Sequence, residues 1–564
     1  MNLVTRDQNK KEMSVLLGIT DYVVISLMLA TSASVGIFFR FTGGRQKTTA
    51  EFLMAGKNMS VLPVAFSLMA TYLSAIGVLG VPSETYLYGT QLSMWMVGVV
   101  IGGIIACYGF LPVFYNMDVT TAYEYLEKRF GKTTRTVTSF LFTLQMILYM
   151  AVVLYAPSLA LNAVTGISTW TSVVSLAVVC TFYCSLGGLK AVLWTDVFQA
   201  FLMFFSVIAV VVKGVIDSGG ISEAYNIAEE GGRIIFFEAL LYSLPLIVIF
   251  NVFSFLDGVV IYSNYHDCDP MLDENTKLKS PDQLMPYAII KMFSHIPGLS
   301  GLCIAGIFSA ALSTVSSAVN SLTAVTMEDF IRPYCFCKQL TENWATLLAK
   351  IIAVCFGGLC LLLTFIVANF RGVLEACNIV FGMVGGPVLG IYLLGMFSKR
   401  ANEKGTLIGL LVGFTVNAWL GFGSYAIKAK VPRLSQSVTG CPVLNISITE
   451  TVLNSTKNLI AGEVISTTVS TGIAYSSSLD EERYIFPVYK ISYLWFPLIG
   501  TLSVFIVGYI ASFVTCLLDE SKDIKPEYFS PFIRKLYFNS SKKSTKITKG
   551  SKGADVEMKE MNSK

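Results

Sequence analysis

The stretch FSAALSTVSSAVNSLTAV, Phe308 to Val325, is apolar enough to lie in a membrane, yet it carries five hydroxyls before its asparagine. Ala310, Ser313, Thr314 and Ser317 follow i, i+3, i+4, i+7 and share one helical face. Two readings fit such a face. Small residues let helices pack closely while their hydroxyls bond back to the preceding turn. Alternatively, the oxygens serve a small hard cation, together with carbonyls of an interrupted partner helix.

The second reading needs a broken helix, and GKNMSVLPVAFSLMATYLSAIGVLGVPSETY, Gly56 to Tyr86, is a candidate. Ser67 to Gly80 mixes Gly, Ser, Thr and Ala before Pro82, so its middle unwinds at low cost, although a Gly-softened packed helix has the same composition. In CSLGGLKAVLWTDVFQAF, Gly187 and Gly188 break one helix and Lys190 marks the cytoplasmic start of another. Asp196 sits nearly two turns into that helix, with Gln199 on its face. A carboxylate at such a place marks either function or an interfacial group reaching water. In FGMVGGPVLGIYLLGMF, Gly385, Gly386 and Pro387 allow a hinge or a packing seam.

Chemistry on bonds is poorly provided for. The chain has two histidines, no paired carboxylates and no nucleophile beside a base, which points away from an enzyme. Cys335 and Cys337 are unaccompanied, so sodium is the one metal expected, with no organic cofactor.

The elements that must position these groups are membrane helices. Of 564 residues, 54% are hydrophobic and 14% charged, with a mean hydropathy of +0.64; soluble domains carry about 25% charged residues. Many apolar runs reach the ~20 residues that cross ~30 Å of hydrocarbon, and none alternates as a membrane barrel strand would. The expectation is an all-α polytopic membrane protein. A net charge of +4 gives no reason to expect a nucleic-acid partner. Oligomeric state is not legible.

Twelve helices are expected, near 21 to 40, 58 to 80, 90 to 115, 136 to 163, 168 to 187, 191 to 213, 239 to 262, 299 to 329, 346 to 369, 373 to 397, 405 to 424 and 489 to 517. They form one transmembrane domain, 21–517, between an N-terminal tail, 1–20, and a basic tail, 518–564. The first apolar run, Asp21 to Phe39, is too long for a signal-peptide core and reads as a retained helix. A loop at 425–488 carries glycosylation sequons at Asn445 and Asn454 and belongs outside. Cys268 and Cys441 alone among the cysteines fall in loops assigned to the outside.

Short loops rich in Lys and Arg stay cytoplasmic. Counting from the left puts the N-terminus outside and Gly214 to Glu238 outside. Counting back from a cytoplasmic C-terminal tail puts Tyr262 to Pro297 outside as well. One helix, 239 to 262, cannot join two segments on one side. It either dips in and returns, or one half is inverted relative to its charges, or a helix is absent between Glu238 and Ala239.

Four stretches, GGLKAVLWTDVFQAF, AGIFSAALSTVSSAVNSLTAVTMEDFI, FGMVGGPVLGIYLLGMF and FLMAGKNMSVLPVAFSLMATYLSAIGVLGVPSETY, resemble the sodium/solute symporter family, in the family's order. GVPSETYLYG, DCDP and PDQLMPY resemble its animal branch of monocarboxylate, multivitamin and iodide transporters, with an insect flavour. The resemblance implies a LeuT-like fold of two inverted repeats, about 13 helices, and alternating access in the plasma membrane. It implies a symporter coupling sodium to a small anionic solute such as a monocarboxylate, a vitamin-like carboxylate or iodide. It places sodium on the carbonyls of Ala70, Leu73 and Ala310 and the hydroxyls of Ser313 and Thr314. The solute would face Ser74, Ala75, Ile76 and Gly77, and Asp196 with Gln199 would lie on the ion path. Between GGRIIFF and ALLYSLPLIV the family carries one more helix, the first of the second repeat, and none is present here. That gap falls where the charge count fails, so a splice variant or gene model lacking one helix, acting if at all as a membrane binding or regulatory protein, is the alternative.

Overall fold

A computed structural model describes residues 17–42, 46–57, 59–165, 167–234, 246–273, 276, 278, 280–334, 341–367, 373–427, 433–441, 487–516 and 524–536. These residues form helices joined by turns, with no strand among them. The sequons at Asn445 and Asn454 and the junction Glu238–Ala239 lie outside the described residues.

The helices are α1 (Ile19–Phe41), α2 (Thr49–Met54), α3 (Val61–Tyr72), α4 (Ala75–Tyr88), α5 (Met94–Ile105), α6 (Leu111–Asn116), α7 (Ala122–Arg129), α8 (Lys132–Thr165) and α9 (Thr169–Asp217). They continue with α10 (Ile221–Glu230), α11 (Leu246–Tyr265), α12 (Leu284–Phe293), α13 (Leu299–Val325), α14 (Glu342–Val367), α15 (Val373–Phe397), α16 (Glu403–Ile427) and α17 (Phe496–Cys516). Among the described residues nine are long and apolar enough to cross a membrane, or ten if the bent pair α3 and α4 counts as one span. Two of the expected twelve are fused in α9, a helix of 49 residues kinked at Gly188, whose φ of +57° is available to glycine at little cost. Another, α11, is described from Leu246 rather than 239.

Lipid is as apolar as leucine, so these helices are held by close packing rather than by burial from water. Glycines supply the closeness around α13. A Cβ on Gly301 would stand 2.5 Å from Asp21 Cα, and one on Gly306 2.5 Å from Ser206 Cβ. On α1, a Cβ at Gly36 would meet that of Tyr183 at 2.6 Å, and the Asp21 carboxylate accepts the Gly301 N–H at 2.8 Å. Helices α1, α9 and α13 are therefore welded backbone to backbone. A second seam joins α15, α16 and α17: Asn417 Nδ2 donates to the carbonyls of Gly382 at 2.8 Å and Phe496 at 3.0 Å.

At the end of the bundle that the charge pattern assigns to the cytoplasm, Asp329 is fully buried. It accepts from Arg135 Nε at 2.9 Å, Thr121 Oγ1 at 2.9 Å and Ser139 Oγ at 2.7 Å, as well as from Arg135 Nη2. Arg129 donates to the carbonyls of Gly395, Ser398 and Ala401 at 3.1, 2.8 and 3.2 Å, tying α7 to the end of α15.

Helix α11 is described over Leu246–Tyr265. Phe250 packs on Phe204 at 5.3 Å between ring centroids, while Val260 lies against Gly214 and Asn264 donates to the Gly214 carbonyl at 3.1 Å. Over its described residues it thus advances alongside the second half of α9, and residues 235–245, which lead into it, lie outside the described residues. Its far end carries Tyr262, whose ring lies 3.7 Å under the Arg233 guanidinium. The segments on both sides of α11 therefore meet on one face, as the two charge counts require.

Candidate functional site

The expected broken helix is present. Helix α3 stops at Tyr72 and α4 starts at Ala75, bent by 51°. Leu73, with φ −88° and ψ 85°, and Ser74, with φ −80° and ψ 168°, are the non-helical link. Ser74 makes the link stable by capping α4, its Oγ accepting the Ile76 N–H at 3.3 Å. Pro82, which by composition marked the end of this run, instead lies inside α4. Ser83 and Thr85 hydroxyls bond back to Leu79 and Val81 carbonyls at 2.7 and 2.9 Å around it.

A break of this kind creates two opposite ends in one place. The last carbonyls of α3 lack helical partners and carry partial negative charge, whereas the first N–H groups of α4 carry partial positive charge. Of those carbonyls, Met69's is taken by the Leu73 N–H at 2.9 Å, and Thr71's accepts from Thr314 Oγ1 at a long 3.4 Å. Ala70 and Leu73 are both buried. On the other side of the break a Cβ added at Gly77 would meet nothing within 4 Å, so the start of α4 borders open space.

The hydroxyl face of α13 is turned to this break. Ala310, Ser313 and Thr314 are all buried, and Thr314 reaches Thr71 on α3. Ser317 Oγ and Thr71 Oγ1 are 2.8 Å apart. Ser316, off that face, donates back to the Ser313 carbonyl at 2.9 Å, the local bond of the packing account.

Asp196 joins the two helices. It is fully buried, so it does not reach water as an interfacial group would. Ser313 Oγ donates to its Oδ1 at 2.7 Å, Ser317 Oγ to its Oδ2 at 3.4 Å, and Ser67 Oγ to Oδ2 as well. Three hydroxyls from α3 and α13 therefore converge on one carboxylate from α9. Gln199 is turned elsewhere: its Nε2 donates to Ser32 on α1 at 3.3 Å, and its Oε1 is buried without a hydrogen-bond partner. Gly385, Gly386 and Pro387 lie within the unbroken α15, where a Cβ on Gly386 would stand 2.5 Å from the Pro497 carbonyl. Thr501 Oγ1 also donates to the Gly386 carbonyl at 2.9 Å, so in this conformation the stretch is a packing seam.

Sequence reasoning left out four participants. Ser67 and Thr71 recur with Ser74 at i, i+4, i+7, a second hydroxyl face that the helical period could have revealed. Tyr149 on α8 interacts with Ser74 and Cys377, and its ring meets Phe381 of α15 at 4.8 Å. No local signal distinguishes those from ordinary core residues. The groups available are oxygens, a carboxylate and helix ends, a donor set for hard cations and anions.

The family profile described as the sodium:solute symporter family matches residues 52–235 and 233–413. A putative sodium-dependent multivitamin transporter of Drosophila melanogaster is 37% identical over 552 residues, covering 89% of this chain and 87% of that protein. The human sodium-coupled monocarboxylate transporter 1 is 37% identical over 545 residues, covering 88% of this chain and 87% of its own. Among solved structures, the substrate-bound outward-open state of a Na+-coupled sialic acid symporter superposes with a TM-score of 0.66 at 22% identity, over 88% of this chain and 98% of that one. The fold is thus the all-α, LeuT-like transporter fold.

Proposed function

The chain belongs to the sodium:solute symporter family, and from that premise we propose that it carries a small organic anion, a monocarboxylate or vitamin-like carboxylate, together with sodium by alternating access across the plasma membrane. The observation that carries this reading is the break at Leu73 and Ser74 facing the hydroxyls of α13. Sodium is held by the carbonyls of Ala70, Leu73 and Ala310 with Ser313 and Thr314. The anion lies at the start of α4, over Ser74 to Gly77, where the helix end is positive and a side chain is missing at Gly77. Each ion occupies the end of opposite polarity, so binding one relieves the repulsion that the other's approach would meet. Asp196 supplies the full negative charge that holds sodium at the hydroxyls until the inner side opens. Relatives named for monocarboxylate and multivitamin transport support the solute class.

The test is uptake of a labelled monocarboxylate by cells expressing the chain, in sodium and in choline. Uptake equal to that of untransfected cells, with normal surface labelling, sinks the reading for this chain.

A second reading has its own observation. The family profile matches in two pieces that meet at 233–235, beside the point where a helix is expected and lacking. This supports a chain that keeps the sodium site but lacks one wall of the solute site and does not transport. Transcript reads crossing Phe237 to Ala239 test it, and reads that insert a helix's worth of codons there refute it.

A further inference from the structure

Residues 433–441 run as a strap over the end of α4. The Leu434 N–H donates to the Leu87 carbonyl at 3.1 Å, and Arg233 Nη2 donates to the Ser435 carbonyl at 2.9 Å. Farther along, the Asp269 N–H donates to the Ser437 carbonyl at 3.0 Å and the Gly440 N–H to the Asp267 carbonyl at 3.0 Å. The strap then ends in a disulfide, Cys441 to Cys268. Arg233 is the pin: fully buried, it also donates Nε to the Tyr86 carbonyl at 3.1 Å and sits over the Tyr262 ring. A cation placed on the last carbonyls of α4 also suits the negative end of that helix.

Two features make this more than a surface loop. First, what the strap holds is the C-terminal end of α4, half of a helix already severed at Leu73 and Ser74, so that end has no continuous α3 to hold it. Second, its backbone bonds are single and interspersed, whereas the disulfide ties the strap covalently to the 267–269 turn across a sequence separation of 173 residues. A cross-link across so long a loop removes much of the freedom of the opened state.

We propose that the strap is a disulfide-held latch on this half of the broken helix, and that reducing Cys268–Cys441 releases it. An external dithiol supplies the two electrons and two protons: the S–S bond breaks, two cysteine thiols form, and the dithiol becomes a disulfide. With the latch on, the end of α4 stays pinned to α11 and to the 267–269 turn. With it off, α4 swings about its link to α3. The proposal goes beyond the transport reading and does not rest on it.

The test uses the full chain in lipid nanodiscs, where both faces are reachable, with Leu87→Cys as reporter. Leu87 lies under the strap and is buried. Maleimide labelling of the Leu87 position, read by mass spectrometry of its peptide, is expected to be at least about tenfold faster in Cys268→Ser/Cys441→Ser than in the protein with the bond intact, because local opening loses its main constraint. Equal rates overturn the proposal. Should the double variant fail to fold, brief phosphine reduction of the Leu87→Cys protein gives the same comparison, with the same refuting result. The proposal also falls if Cys268 and Cys441 both alkylate in denatured, unreduced protein. None of these readouts depends on transport.

Discussion

Replacing Asp196 with asparagine removes a charge and keeps the shape. Ser313 Oγ is 2.7 Å from Asp196 Oδ1, and a hard cation sits about 2.4 Å from an oxygen ligand. A sodium ion bound to Ser313 is therefore within about 5 Å of the carboxylate. At an effective dielectric near 20, that separation is worth about 3 kcal/mol between unit charges. Losing it lowers sodium affinity by roughly two powers of ten. The hydroxyls of Ser67, Ser313 and Ser317 can rotate to accept from or donate to the amide, so the fold loses little in the absence of sodium. The assay is melting of the purified protein against sodium concentration, with choline keeping ionic strength constant. Wild type gains stability with the logarithm of sodium above its dissociation constant, and Asp196→Asn should need roughly a hundredfold more sodium for the same gain. If the two titrations coincide while Ser313→Ala shifts its own, the carboxylate does not act on the ion and the argument from its position is wrong.

Other consequences are checked in the same way. Thr314→Ala should weaken the sodium dependence of melting while Ser316→Ala leaves it intact, because Ser316 only bonds back to the Ser313 carbonyl; equal effects would favour the packing account. Gly77→Leu should abolish binding of a labelled monocarboxylate and spare sodium stabilisation, since the space it fills is open and no backbone must move. Asp329→Asn strips a buried carboxylate from Arg135, Thr121 and Ser139, at a cost of about 3–5 kcal/mol. Its melting temperature in choline should fall well below that of Asp196→Asn, and similar values would show that the Arg135 network is solvated.

Much of the architecture was legible because membrane helices announce themselves by length. Each of the twelve expected helices has a counterpart, and the break at Leu73 was visible as Gly, Ser, Thr and Ala mixed into the apolar run between Ser67 and Gly80. The hydroxyl face of α13 was legible from period alone. Asp196 was legible as a carboxylate within a helix but its surroundings were not, because depth along a helix does not say which neighbours enclose it; three hydroxyls from two other helices do. Pro82 did not end the helix as it ends most helices in water: α4 runs through it to Tyr88. Tyr149, Cys377 and the Cys268–Cys441 bond depend on pairings far apart in sequence, which composition cannot supply.

The weld among α1, α9 and α13 has a mechanical corollary. Helices that touch through glycine backbones, with Asp21 anchored to the Gly301 N–H, cannot slide past one another without losing contact along their length. They form a single block, and the break between α3 and α4 is the joint at which the arm they make can bend against it. The proposed sodium ligands fall on both parts: Ser313 and Thr314 on the block, and Ala70 and Leu73 on the arm beside the break. On the proposed assignment, an ion bound between them would act as a rivet across that joint, its arrival fixing the angle of the arm and its departure setting the arm loose.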